Sequence, residues 1–526
     1  MAQPALSEDQ QDEALLQKLG YKQELQRTLG FLSNFAVAFS YISVSTGTFS
    51  LFYLGILAGG PAFFWTWPIV AIGQFLVALN FAELSSHYPI AGSIYQWSKR
   101  LAGNTLGWFT GWFYFFAGVL TITAVAFTIP IPILAIFPGI PATILGMSSP
   151  VFIALAFIVI GTLINVVGVR LVSIVNNVGV AAEIIGMFIF ALVLLLFFRH
   201  QDFSFLFKGP SPDIQTTDAP WTSGLGTTYF GAFAAALFMS LFVIYGFDTA
   251  GTLGEETKNP QRNAPRGVLW AIGLSFFAGL LFLGGTILSI KDLPKIEGIA
   301  GGLNYTQTLP TIIQDALGTT WGNIYLAVVL VAVCVCTFAI QSATIRLMFS
   351  MGRDGRLPLG KVWGKVHPTL KTPIWAGVAV AVLSALPFLY SQGIGVLVTG
   401  ATGMIYLSYF LNNIASLGAR MKGWPKDNAP FRLGRWGMLV NILALVYGGV
   451  MIVNFLWFGG LRNAYTNPPF GLAFPALANV PLFGGMPIFE FSLLIILVLG
   501  AIYWFGFKRR DIGANVEAPA QVAAGD

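Results

Sequence analysis

Three long stretches of the chain contain no charged side chain: residues 28–82, 101–169 and 372–419 hold no Asp, Glu, Lys or Arg. Each is long enough for two membrane crossings, because one helical span needs about 20 apolar residues. Composition agrees with this. Charged residues make up 10% of the 526 residues and hydrophobic residues 56%, whereas an ordinary globular protein carries roughly 25% charge. A soluble protein cannot cover its surface with so little charge, so the chain reads as an integral membrane protein, solvated by the lipid bilayer. A soluble enzyme, a nucleic-acid binder and a disordered tail protein are excluded, and no cofactor is expected.

Apolar runs bounded by Gly, Pro and charged residues predict about twelve helices, at 31–57, 62–86, 104–130, 148–169, 175–198, 228–251, 267–290, 321–351, 373–391, 395–419, 437–459 and 488–507. The runs are continuous rather than alternating, which selects helices over barrel strands. An even number of spans puts both termini on one face. Of the 28 Lys and Arg, Arg199, Lys208, Lys291, Lys295 and Arg462 fall on the opposite face and the rest on the face of the termini. The positive-inside rule therefore makes the termini cytoplasmic, in what is expected to be the plasma (inner) membrane. The net charge of +6 orients the chain rather than marking an acidic partner.

Residues 1 to 29 are polar and of mixed charge, so the first apolar span is expected to act as the targeting signal. From Glu13 to Gly30, Leu15, Leu16, Leu19, Tyr21 and Leu25 suit an amphipathic helix on the inner membrane surface, or else a solvated lead-in. The connection 199–227 holds Pro210, Pro212 and Pro220, and Asn304-Tyr305-Thr306 forms a glycosylation sequon on the outer side. Cys334 and Cys336 are two residues apart on one helix, so they point to different faces and no disulfide is expected.

Two spans carry polar and Gly interruptions that a plain spanning helix would lack. The first reads Phe39-Ser40-Tyr41-Ile42-Ser43-Val44-Ser45-Thr46-Gly47-Thr48, and the sixth Tyr245-Gly246-Phe247-Asp248-Thr249-Ala250-Gly251. Small polar residues also serve helix packing in membranes. Asp248 tips the balance, since an ionised carboxylate at depth costs about 2.5–3.5 kcal/mol even on a lenient insertion scale. It must face a polar cavity or a partner, or be protonated, and an intramembrane acid is a functional candidate. The breaks fall in the first members of two successive five-span sets, the arrangement of inverted-repeat transporters whose broken helices bind substrate near the midplane. The expected organisation is a cytoplasmic tail (1–30), a first five-helix repeat (31–198), an inverted second repeat (228–419), helices eleven and twelve (437–507) and a cytoplasmic tail (508–526). Freed N–H groups suit a carboxylate and freed carbonyls an ammonium, so a zwitterionic amino acid fits such a site.

Further residues point to a family. Gly59-Gly60-Pro61, Trp65 and Trp67 precede Ala82-Glu83-Leu84-Ser85-Ser86-His87-Tyr88-Pro89-Ile90-Ala91-Gly92-Ser93-Ile94-Tyr95-Gln96-Trp97. Gly246-Phe247-Asp248 leads to Glu255-Glu256-Thr257-Lys258-Asn259-Pro260 and Pro265-Arg266-Gly267. Arg346 through Arg353-Asp354-Gly355-Arg356-Leu357-Pro358 is followed by His367-Pro368 and Lys371-Thr372-Pro373. From about Leu19 to span twelve the chain resembles permeases of the amino acid–polyamine–organocation superfamily, above all the amino acid/choline transporter branch that includes γ-aminobutyrate permeases.

The resemblance implies an all-α LeuT-type fold of two inverted five-helix repeats plus two C-terminal helices. It further implies that Ser43, Ser45, Thr46, Gly47 and Thr48 line a carboxylate subsite. Tyr245, Gly246 and Phe247 would offer carbonyls to the amino group, with an aromatic lid from Tyr245 or Phe247. Asp248 would carry a proton or meet a cationic amine, or be an acid at a hydrated helix end. Glu183 falls where several relatives carry a Lys against span one. It would bind a proton or Na⁺ in that cation's place, or else be an inner-end acid paired with a loop Arg. Ser342 and Thr344 resemble Na⁺-binding hydroxyls, though such groups often bond their own helix. Glu83 with His87 lies at the inner mouth, for gating or for pairing with a loop base. Gln341 lines the cavity or bonds across helices, and Gly107 with Gly111 forms a close-packing face.

The function expected is a secondary active transporter importing an amino acid or related amine by alternating access, proton-coupled, with an exchanger or a Na⁺ symporter as alternatives. No phosphate-binding loop is present to use ATP. His87, His200 and His367 all lie near loops and cannot build a metal cluster or a triad, so neither an enzyme nor a metal site is expected. A transporter-like nutrient receptor would call for a large cytoplasmic tail.

Overall fold

The computed structural model describes residues 7–211, 229–301, 305–389, 394–457 and 488–508. Arg462, Pro212, Pro220, Asn304 of the sequon and residues 458–487 and 509–526 lie outside the described residues.

The first half of the chain runs through α1 (Glu8–Lys18), α2 (Phe31–Ile42), α3 (Val44–Gly59), α4 (Thr66–His87), α5 (Ser93–Ala102), α6 (Asn104–Ala126), α7 (Pro130–Ile136), α8 (Ser149–Val167) and α9 (Val169–Ile184), which continues through a π-helical turn at Ile185–Phe190 into α10 (Ala191–Phe197). The second half runs through α11 (Tyr229–Val243), α12 (Thr249–Thr252), α13 (Pro260–Leu288), α14 (Leu293–Gly301), α15 (Tyr305–Arg353), α16 (Gly360–Trp363), α17 (Ile374–Ala385), α18 (Ile394–Met421), α19 (Gly437–Trp457) and α20 (Ile488–Tyr503). Among the described residues the sheet structure is one small hairpin, Thr143–Ile144 against Met147–Ser148, with Thr143 opposite Ser148.

Seven helical stretches among the described residues are long and apolar enough to cross a membrane, with shorter apolar helices at Tyr229–Val243, Ile374–Leu389 and Ser492–Lys508. Their outward faces carry Ile72, Val159, Leu163, Val178, Leu196, Phe277, Trp321, Val446 and Leu499, all exposed. Such a surface is solvated by lipid, where no hydrophobic cost attaches to exposing it. The polar residues point the other way: Asn34, Asn80, Gln96, Asn165, Gln341, Asn412 and Asn441 are all buried. The protein is an all-α integral membrane protein with a polar seam at its centre.

Around that seam α3 packs on α11, α2 on α9 and α13, and α4 on α13. α15 packs on α6 and α9, and α18 on α6 and α19. Gly318, at φ 76°, breaks α15 so that its apolar part begins near the predicted residue 321.

The N-terminal expectation is corrected. α1 begins earlier, with Ser7 and Gln10 forming a capping box, and it stops at Lys18 because Gly20 turns left-handed (φ 85°). Residues 21–30 then run as a non-helical strap over the protein rather than as a helix along the membrane surface. Thr28 and Leu29 donate their N–H groups to the Glu256 carbonyl at 3.0 and 2.9 Å, and Lys258 N–H donates to the Leu29 carbonyl at 2.8 Å. Leu16 is buried, and Leu25 is buried beside Ala91 and Phe349. The backbone partners between 256 and 258 outbid helical continuation after Gly20.

Candidate functional site

The break in the first span lies between α2 and α3. Ser43 sits there at φ 30°, a left-handed conformation unusual for a residue with a side chain. Its hydroxyl caps α3, accepting from Thr46 N–H at 3.4 Å, and pairs with the Thr46 and Ser45 hydroxyls at 2.6 and 3.3 Å. Thr48 turns away, donating to the Val44 carbonyl of its own helix at 2.7 Å. Gly47 packs against Val243, and an added Cβ there would overlap the Val243 side chain.

The second break separates α11 from α12. Gly246 sits at φ 88°, and a Cβ on it would overlap the Tyr41 ring. The Gly246 N–H donates to the Tyr409 hydroxyl at 2.9 Å. Tyr41 also meets Tyr245 edge-on, with centroids 6.2 Å apart. The two breaks therefore touch through Tyr41. Tyr245 shares a hydrogen bond with the Thr121 hydroxyl of α6 at 3.3 Å, and Phe247 packs against both Phe81 and Tyr409, which also touch each other.

Asp248 directly follows this break and is fully buried. Its Oδ2 accepts from Ser93 Oγ at 3.0 Å and Tyr114 hydroxyl at 2.6 Å, and its Oδ1 from Tyr409 hydroxyl at 2.6 Å. Thr252 in turn donates to Ser93 Oγ at 2.8 Å. The carboxyl thus ties α12 to α5, α6 and α18 through neutral hydroxyls. Ser93 lies within the motif of residues 82–97, and Tyr114 and Tyr409 carry no local signal in the sequence. The available clue is that a Tyr inside an apolar span needs a partner for its hydroxyl.

Glu183 projects from α9 into the first break. It is buried, and its Oε1 lies 3.4 Å from Ser45 N and 3.3 Å from Ser45 Oγ. No Arg among the described residues accompanies it. Among the described residues neither Glu183 nor Asp248 takes part in an ion pair.

The other expected residues are dispersed. Gln341 bonds across helices, donating to the Ile158 carbonyl at 3.0 Å and the Thr162 hydroxyl at 3.3 Å of α8. Thr344 donates to its own helix at the Ile340 carbonyl, 2.9 Å away, and packs on Gly118 of α6. The Ser342 hydroxyl is buried without a hydrogen-bond partner. Glu83 pairs with Arg420 at the end of α18 and accepts from Leu433 N–H at 3.0 Å, while His87 packs on Trp424 instead. Among the described residues no group of three or more His, Cys, Asp or Glu is placed to hold a metal.

Ion pairs join the motif residues after α12 to the end of α15. Arg353 grips Glu255 at 2.7 and 3.0 Å, and Arg346 grips Glu256 at 2.8 and 3.1 Å. Asp354 takes Lys99 Nζ at 2.6 Å, Tyr95 hydroxyl at 2.7 Å and Tyr21 hydroxyl at 3.0 Å, the last from the N-terminal strap. Burial opposes ionisation of Asp354, but the Lys99 ammonium with its hydrogen bond, the Tyr95 hydroxyl and the Arg353 charge together hold its carboxyl below the usual range.

Comparisons with known proteins agree with this architecture. The family described as Amino acid permease matches residues 29–477. The chain is 30% identical over 461 residues to the amino-acid permease BAT1 homolog of Oryza sativa subsp. japonica, covering 84% of this chain and 87% of the relative. It is 25% identical over 382 residues to the branched-chain amino acid permease BcaP of Bacillus subtilis (69% and 75% covered). It is 27% identical over 346 residues to the methylthioribose transporter of the same organism (63% and 67% covered). Broken helices meeting in a polar seam, inside a lipid-solvated bundle that the family spans almost end to end, place the chain in the amino acid permease family of the amino acid–polyamine–organocation superfamily, as a membrane amino acid transporter and not an enzyme.

Proposed function

We propose that the protein imports an amino acid or related amine by alternating access, driven by protons. The proposed frame has about twelve membrane helices in a LeuT-type arrangement. Two inverted repeats (31–198 and 228–419) are followed by two helices (437–507). The termini are cytoplasmic, in the plasma (inner) membrane. The observation that carries this reading is the contact of the two helix breaks at Tyr41, with one buried carboxyl, Glu183 or Asp248, beside each. An ionised carboxylate there is costly, so each must bind a cation or a proton during the cycle. Three hydroxyls already surround Asp248, and a proton is the carrier that fits within their spacing. Protonation would leave Asp248 one acceptor weaker towards Tyr114 and Tyr409, loosening α12 from α6 and α18. That links proton uptake to the movement of one set of helices against another. The names of the relatives span branched-chain amino acids and methylthioribose, so kinship alone does not select the substrate.

The test is uptake of labelled amino acids and amines into proteoliposomes under an imposed proton gradient, an imposed Na⁺ gradient, or neither. Accumulation that follows the proton gradient supports the reading. Accumulation driven by Na⁺ alone, or counterflow without any gradient response, would replace proton coupling with symport of Na⁺ or with exchange.

A further inference from the structure

We infer that the substrate of this site carries net positive charge, as a basic amino acid or an aliphatic di- or polyamine does, and that Glu183 is the residue that selects it. The inference rests on the transport reading above and narrows its substrate.

The first N–H groups of a helix lack intrahelical partners and attract an anion. In α3, a helix of 16 residues, those groups are already engaged from within the chain. Ser43 Oγ takes the Thr46 N–H, and Glu183 Oε1 faces both the N–H and the hydroxyl of Ser45. The anion at this helix end is therefore Glu183 itself. A substrate carboxylate arriving there would find its donors taken and a like charge beside it.

The remaining charges point the same way. Glu83, Glu255, Glu256 and Asp354 are each matched to a base, respectively Arg420, Arg353, Arg346 and Lys99. Asp248 has three hydroxyl donors, two of them at 2.6 Å. Glu183 takes the Ser45 hydroxyl and N–H at 3.3 and 3.4 Å, long against the 2.7–2.9 Å usual for a hydrogen bond to a charged group, and Ser43 and Val44 also reach it. Among the described residues it has no base. The paired bases leave no free cation among them to receive a substrate carboxylate.

What surrounds Glu183 suits an ammonium. The Tyr325 hydroxyl is fully buried and without a hydrogen-bond partner, and Tyr325 lies within electrostatic reach of Glu183. The Tyr41 carbonyl, at the C-terminal end of α2, is approached by Cys336 Sγ at 3.5 Å, a weak donor that an ammonium would displace. Asp248 is left for the proton, and Glu183 for the substrate.

The test uses the full-length protein in proteoliposomes with labelled lysine, putrescine, leucine and γ-aminobutyrate. The expected result is a kcat/KM for lysine or putrescine roughly tenfold or more above that for leucine, a difference of about 1.4 kcal/mol. An inside-negative diffusion potential should accelerate that uptake. E183Q should remove the preference by raising the KM for the cations, and E183D should retain it. Thermal melting and size exclusion of E183Q establish that it is folded. Wild-type preference for leucine or γ-aminobutyrate would overturn the inference and leave the transport reading standing, as would an E183Q variant that still prefers cations. If none of the four compounds moves, the transport reading falls first.

Discussion

Arg346 and Glu256 face each other through two parallel hydrogen bonds, Nε to Oε1 at 2.8 Å and Nη2 to Oε2 at 3.1 Å, with side chains 1% and 2% exposed. The pair joins α15 to the connection after α12, which also holds the N-terminal strap through the Glu256 carbonyl. Removing one partner leaves an uncompensated charge, which costs about 3–5 kcal/mol in a buried setting. R346M should lower the melting temperature sharply. The double variant R346M/E256M should recover most of the loss, to within about 1 kcal/mol of wild type, because no buried charge is left alone. Thermal melting of the three purified proteins in one detergent checks this.

Asp354 governs how the strap responds to acid. Its carboxyl sits below the usual value of 3.8, so the folded state binds this proton less readily than the unfolded chain. The stability it contributes is present above 3.8 and is lost only as pH falls through the lower folded-state value. Residues 19–29 should thus stay protected from hydrogen exchange at pH 5, and D354N should expose them at neutral pH. Exchange measured by mass spectrometry at both pH values is the readout.

D248N keeps a side chain of the same shape but cannot lose and regain a proton. The variant should fold, and substrate counterflow should persist while accumulation against a gradient drops by roughly tenfold or more. Y114F removes one hydrogen bond to this carboxyl, worth about 1.5–3 kcal/mol if the group is charged. It should shift the pH at which accumulation is half-maximal more than it changes the KM. Parallel proteoliposome assays across a pH series decide both points.

Gly246 is required twice over, by its φ of 88° and by the Tyr41 ring lying on it. G246A should cost about 1–2 kcal/mol from backbone strain alone, with the overlap against Tyr41 in addition. Y41A in the G246A background should relieve the overlap and leave the strain, giving partial recovery of the melting temperature.

Much of this architecture is legible without coordinates, for identifiable reasons. The helix breaks at Ser43 and Gly246 announce themselves because Gly and hydroxyl residues are conspicuous in apolar runs. Asp248 and Glu183 stand out because charge is scarce there. Their partners do not. Tyr114 and Tyr409 look like ordinary aromatic residues of a span, and are separated from Asp248 by 134 and 161 positions. Gln341, Ser342 and Thr344 share a helix, but their polar groups meet different surroundings, which spacing alone does not tell.

The N-terminal segment shows the same limit. Leu16, Tyr21 and Leu25 mark an apolar face, but the surface that takes it is the protein itself and not lipid, through Glu256, Asp354 and Lys258.

Composition and the placement of charge by themselves determined that the chain lives in a membrane and that two of its helices break at Ser43 and Gly246. Those properties follow from local energetics, the transfer of each side chain into hydrocarbon and the backbone preference of each residue. Tertiary structure alone decided which acids are paired. Glu83, Glu255, Glu256 and Asp354 each have a base, Asp248 has a cage of hydroxyls, and Glu183 has only the end of a broken helix. Pairing depends on contacts between residues far apart in the chain, and the low dielectric of the interior makes each such contact, or its lack, decisive.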